Sequence, residues 1–202
     1  TIPIILQGGH TFLMPFYFDD IKEMRAVHFG ALLMIYSLMF IIAGFISPLI
    51  MKRFHFLTVA TAAFMCLMMG CVIMVFGLHT DGLIVPVAYL VMMGLGFGIY
   101  NAPSTSAIMA MIPPDHKGLF SGVFQVILRA SLLMGIVLFE TIYSAGIGDF
   151  PETFTPASPV SADHLNALYS SYRMAFMAGF ALIAVALIIL LVVRVGRNKT
   201  GA

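Results

Sequence analysis

The sequence predicts an all-α integral membrane protein of six transmembrane helices. Composition points there first. The 202 residues are 61% hydrophobic and 9% charged, with a mean hydropathy of +1.04, whereas soluble domains are nearer half apolar and a quarter charged. Second, the apolar residues fall into six long runs separated by polar turns. A bilayer core needs about 20 apolar residues per helical span. Third, Lys52, Arg53, Lys117, Arg194, Arg197 and Lys199 fall at alternate turns and the tail, while the first turn holds only Lys22 and Arg25 among three acids and the third and fifth hold none, a bias expected when successive loops lie on opposite sides of a membrane. A net charge of +1 without any basic run argues against a nucleic-acid partner.

The first helix is expected over 2–18. Gln7, His10 and Thr11 are spaced i, i+3, i+4 and so share one face. A charged turn follows, with Asp19, Asp20, Lys22, Glu23 and Arg25. The second helix covers 27–51, and its stripe of Gly30, Ser37 and Gly44 is suited to helix contact. Lys52 and Arg53 end it. The third helix covers 54–78, with Gly70 and Gly77 on one stripe. Cys66 and Cys71 lie inside this run, off a shared face, so a disulfide between them is not expected.

The fourth helix covers 83–112. It is long enough to be tilted or kinked, and Pro103 is the expected kink. Gly94, Gly96 and Gly98 let neighbouring helices approach closely. Ile112 to Gly118 is a turn, and the fifth helix covers 118–144 with Gly122 and Gly135 as packing positions. A Gly- and Pro-rich loop over 145–161 is the clearest extramembrane segment. The sixth helix covers 162–194 and ends in a basic tail of Arg194, Arg197 and Lys199.

Orientation follows from the cations. Lys52, Arg53, Lys117 and the tail fall on one side, so the C-terminus is expected in the cytoplasm, with the chain in a bacterial inner membrane. The start Thr-Ile-Pro has neither an initiator Met nor the pattern of a signal peptide, so the chain is expected to be a piece of a longer protein.

Candidate pathway residues are the polar side chains at membrane depth, which tend to face a bundle interior or an aqueous cavity. Arg129 lies eleven residues past Gly118, about 16 Å along the helix axis. Gln125, one turn earlier, shares its face. Asn101 precedes the proline kink, and Gln7 and His10 complete the set. Glu140 is expected near the outer interface. Sixteen Met and six His raise a metal reading, but the Met residues are spread over all six helices, which suits adaptable packing rather than a convergent ligand set. Ser121-Gly122 is superficially like an intramembrane serine protease motif, yet no His is placed to activate the serine. No enzyme, metal or cofactor is expected.

The stretch GLGFGIYNAPSTSAIMAMIPPDHKGLFSG and the earlier Phe12-Leu13-Met14-Pro15-Phe16-Tyr17 together resemble the C-terminal half of major facilitator superfamily transporters. Within that family they are most like the fourteen-helix drug:proton antiporter branch. The resemblance implies that an N-terminal half is missing and that substrate passes between the two halves. It implies that the first, second, fourth and fifth helices border the pathway. The expected function is proton-coupled export of small organic molecules or drugs by alternating access, with the lipid bilayer, the N-terminal half, substrate and protons as partners. The turn before the third helix keeps the family's basic pair and lacks its acid, and Arg129 sits seven rather than six residues past Gly122. The alternative is a stand-alone six-helix channel, scaffold or homodimeric half-transporter.

Overall fold

The computed structural model describes residues 2–22, 24–80, 82–113, 116–147 and 162–200. Six helices follow in order: α1 Ile2–Asp20, α2 Ala26–Met51, α3 Phe56–Gly77, α4 Ile84–Ala110, α5 Lys117–Ile147 and α6 Ala162–Thr200. Most of the loop expected over 145–161, and the centre of the turn before α5, fall outside the described residues. Helices α2 to α6 are each long and apolar enough to cross a membrane on their own. The polar and glycine run Gln7 to Thr11 makes α1 less apolar. Ten of its 19 residues are buried, so protein rather than lipid surrounds much of it. The chain is an integral membrane bundle.

The helices pair by one repeated rule. Helices α2 and α3 both lie on α4, and α5 and α6 both lie on α1. The outer helices α3 and α6 pack on each other. Helix α5 also packs on α6, whereas α2 and α3 barely touch, so exchanging α1–α3 for α4–α6 reproduces the other contacts but not this one. The core runs down the middle, where Leu13, Met14, Leu67, Met74, Leu90, Met93, Tyr172 and Ile183 are buried.

Close crossings depend on glycine. A Cβ on Gly98 would stand 2.5 Å from the Phe40 carbonyl oxygen and 2.6 Å from the Ala43 Cβ of α2. One turn earlier, a Cβ on Gly94 would stand 2.6 Å from the Tyr36 carbonyl oxygen. Gly96 points the opposite way, against Leu67 and Ala63 of α3. Alternate glycines therefore serve two different neighbours, because residues two apart lie about 200° around a helix. At the α1–α5 crossing, a Cβ on Gly135 would strike the Ile5 carbonyl, and one on Gly8 would strike that of Leu132.

Two expectations about small residues fail here. A Cβ at Gly30 or Gly44 would meet nothing within 4 Å, and Ser37 is exposed. The seam of α2 is instead Tyr36, Phe40, Ala43 and Ser47: Ala43 is buried against Gly98, and Ser47 is buried against the Ile99 carbonyl of α4. Gly122 likewise meets nothing within 4 Å, because the first half of α5 has no neighbour among the described residues on that side.

Candidate functional site

The polar face of α1 is divided among three environments. Thr11 is exposed and donates to the Gln7 carbonyl at 2.9 Å. Gln7 is half-buried and donates from Nε2 to the Tyr36 hydroxyl of α2 at 3.1 Å. His10 is 3% exposed, and its Nδ1 lies 3.1 Å from the Tyr89 hydroxyl of α4. Its ring is 4.5 Å from that of Tyr36 and 5.4 Å from that of Tyr89. His10 is thus an interior residue of this bundle, not an open cavity wall. It and Gln7 join α1 to α2 and α4, two helices that α1 otherwise touches little. Sequence reading missed Tyr36 and Tyr89, because a tyrosine in an apolar run carries no sign of the side chain that its hydroxyl will meet.

Asn101 and Pro103 form a second locus. Proline has no N–H, so the carbonyl four residues earlier loses its intrahelical partner. That carbonyl belongs to Ile99, and Ser47 of α2 donates to it at 3.0 Å. Ser47 is fully buried, and in a water-free span such a neighbouring hydroxyl is what satisfies a freed carbonyl. Ser104 and Thr105 both donate to the Asn101 carbonyl at 3.0 Å. The Asn101 side chain is half-buried.

The third locus is the outer surface of α5. Gly122, Gln125, Arg129 and Glu140 are exposed on one stripe, recurring at helical spacing. The opposite face carries Ser131, Gly135 and Phe139, which are buried. Gln125 and Arg129 therefore do not converge with Gln7, His10 or Asn101. They face outward along a span whose flanks are Val126, Ile127, Leu133 and Met134, all exposed. Helix α2 has a comparable uncovered face of Met34, Leu38, Ile41, Phe45 and Leu49, all apolar. No group of three or more His, Cys, Asp or Glu side chains suited to a metal ion occurs among the described residues, and Cys66 and Cys71 are free thiols.

Comparison with known proteins gives two findings. The sequence profile of the Major Facilitator Superfamily matches residues 2–136, from α1 into α5. Among curated proteins, the riboflavin transporter RibZ of Clostridioides difficile (strain 630) is 23% identical over 141 residues, covering 70% of this chain and 31% of that protein. The match thus takes in about a third of that relative's length. No solved structure matches.

Proposed function

The chain belongs to the Major Facilitator Superfamily, and on that premise we propose that it is the C-terminal six-helix half of a secondary transporter. A second, similar half covers α2 and α5, and a small organic solute passes between the two by alternating access. The family is one of transporters, not enzymes.

One observation carries this reading. Arg129 and Gln125 are exposed partway along a spanning helix. An arginine at the bilayer centre costs about 2.5–3.5 kcal/mol by insertion scales. A face that carries it is better placed against a water-filled cleft than against acyl chains. The paired helices support the same reading, because transporters of this family nest repeats of three helices inside each half and bind substrate at the repeat interfaces. The side bearing Lys52, Arg53 and Lys117 is the cytoplasmic one, which puts the C-terminus in the cytoplasm of a bacterium.

The solute and the driving ion come from weaker support. The relative named for riboflavin makes that flavin the first probe, and the branch resemblance makes small drug-like organic molecules the second, with a proton gradient driving export. The test is flux in proteoliposomes containing the intact protein, with riboflavin or a drug-like organic dye and an imposed pH gradient. The expected result is solute movement that collapses with the gradient and saturates with solute. Movement of neither probe under any gradient, or unsaturable channel-like leakage, overturns the proposal.

A further inference from the structure

A cavity of about 270 Å³ lies between α3, α4 and α6 at the end of the bundle where α1 begins. Phe56, Leu57 and Phe64 of α3, Tyr100 of α4, and Ala186 and Ile189 of α6 form most of its wall. Phe64 and Ala186 are 4% and 6% exposed, while Ile189 is 52% exposed. The cavity therefore reaches from the packed interior to the outer surface between α3 and α6. The Phe64 and Tyr100 rings stand 5.2 Å apart.

The wall is chemically one-sided. Its side chains offer a single polar group, the Tyr100 hydroxyl, so a water inside would lack the two to four partners that hold a buried water. Pockets for drug-sized ligands run to roughly 300–1,000 Å³ and set several polar groups. This cavity is smaller and nearly without them. It has length instead: Phe56 and Phe64 lie eight residues apart, about 12 Å along α3. An apolar slot of that depth, open on the side of α3 and α6, suits a hydrocarbon chain.

Charge marks one end of the slot. Phe56 is the first residue of α3, and Lys52 and Arg53 are exposed in the turn just before it. His55 begins α3 without a side-chain capping bond, so the positive end of that helix dipole stands at the same level. Helices α3 and α6 run antiparallel, since Gly179 faces Cys71 while Ile189 shares the cavity with Leu57. The sequence of the turns and tail at this end carries six lysines and arginines against one acid, Asp115. A phosphate placed here meets cations while the chain attached to it runs inward past Leu57 toward Phe64.

We propose that this cavity seats one acyl chain of an anionic phospholipid whose phosphate is held by Lys52 and Arg53. The proposal rests on the part of the transport reading that leaves α3 and α6 against lipid; it requires no solute. Basic sites between membrane helices recognise anionic headgroups by this combination of charge and depth.

The test uses phosphatidylglycerol carrying a diazirine midway along one acyl chain, in phosphatidylcholine nanodiscs that hold the intact protein. Irradiation is followed by peptide mass spectrometry to map the adducts. Label is expected on Phe64 or Tyr100, and excess unlabelled phosphatidylglycerol should remove it. Phosphatidylcholine with the same diazirine chain should label the two residues at least roughly tenfold less. K52Q combined with R53Q should weaken the competition by roughly fivefold for each cation lost. A186L, which adds bulk to the wall, should remove the label from both lipids. The two exposed cations keep the test decisive if A186L does not fold. Equal labelling by phosphatidylcholine, or competition unmoved by the loss of both cations, overturns the proposal. So does label removed by riboflavin and not by phosphatidylglycerol, which would make the cavity a solute site. Met69 and Ile188, exposed on α3 and α6, separate the two readings. Label there with none at Phe64 and Tyr100 sinks the lipid site and leaves the transport reading standing. Label at none of the four sinks both, because α3 and α6 would not face lipid. Competed label at Phe64 or Tyr100 in a protein that moves no solute in proteoliposomes keeps the lipid site and sinks transport.

Discussion

Replacing Ser47 by Ala isolates the bond that repairs the proline position in α4. Ser47 Oγ donates to the Ile99 carbonyl at 3.0 Å, and that carbonyl has no helical donor because residue 103 is proline. Side-chain hydrogen bonds between membrane helices average about 0.6 kcal/mol and reach about 1.7. Ser47 should lie in the upper part of that range. Its site is fully buried, so no water replaces the lost donor, and an unpaired buried acceptor costs about 1–3 kcal/mol. The expected cost of S47A is therefore about 1–2 kcal/mol. P103A supplies a backbone N–H to the same carbonyl. In that background S47A should cost less than about 0.5 kcal/mol, close to the additivity limit for unconnected sites. Entropic effects of removing the proline act on both members of each pair and cancel in the cycle. Reversible unfolding in bicelles, followed for the four proteins, measures the difference. An equal cost of S47A in both backgrounds would refute the reasoning, because it would mean that the serine hydroxyl and the proline are not acting on one carbonyl.

Three further outcomes are expected. G98A and G135A should each destabilise the bundle by about 1–3 kcal/mol through overpacking, whereas G122A, with open space around it, should leave unfolding unchanged or raise stability by about 0.4–1 kcal/mol; the same bicelle assay reads all three. Y89F should cost about 1 kcal/mol by leaving the buried His10 ring without its hydroxyl partner, and Y89F combined with H10F should cost less than the sum of the two single changes. R129Q should unfold like wild type, since the side chain is exposed, while lowering solute flux in proteoliposomes by at least roughly tenfold if the guanidinium lines the cleft.

The helices were legible in the sequence because membrane insertion is decided run by run: twenty apolar residues between charged turns leave few other options. Individual contacts were less so. The spacing of Gly30, Ser37 and Gly44 is as regular as that of Gly94 and Gly98, yet an added Cβ would strike a neighbour at Gly94 and Gly98 and not at Gly30 or Gly44. Which face of a uniformly apolar helix turns inward is set by its partner, and periodicity has nothing polar to lock onto. For the same reason α2 buries the face that holds Ala43 and Ser47, about 100° from where the stripe pointed. Among the polar candidates, Arg129 and Gln125 were conspicuous from composition alone. The Tyr36, Tyr89 and Ser47 partners were not, since each is met by a residue of a different helix: Gln7, His10 and Ile99. Asp20 looked like an ordinary loop acid. Only the meeting of α1, α5 and α6, where Tyr143 and Tyr172 both donate to it, distinguishes it from Asp19 beside it.

The central claim is that the uncovered face of α5 borders a water-filled cleft closed by a second half, while the exposed surfaces of α3 and α6 face lipid. Single cysteines at Gln125 and Arg129, compared with cysteines at Met69 of α3 and Ile188 of α6, test it in the intact protein with a membrane-impermeant thiol reagent applied to membranes open to it on both sides. The two α5 positions should react at rates near those of exposed loops, and Met69 and Ile188 should stay protected. Protection of both α5 positions, or equal reactivity at all four, would contradict the account.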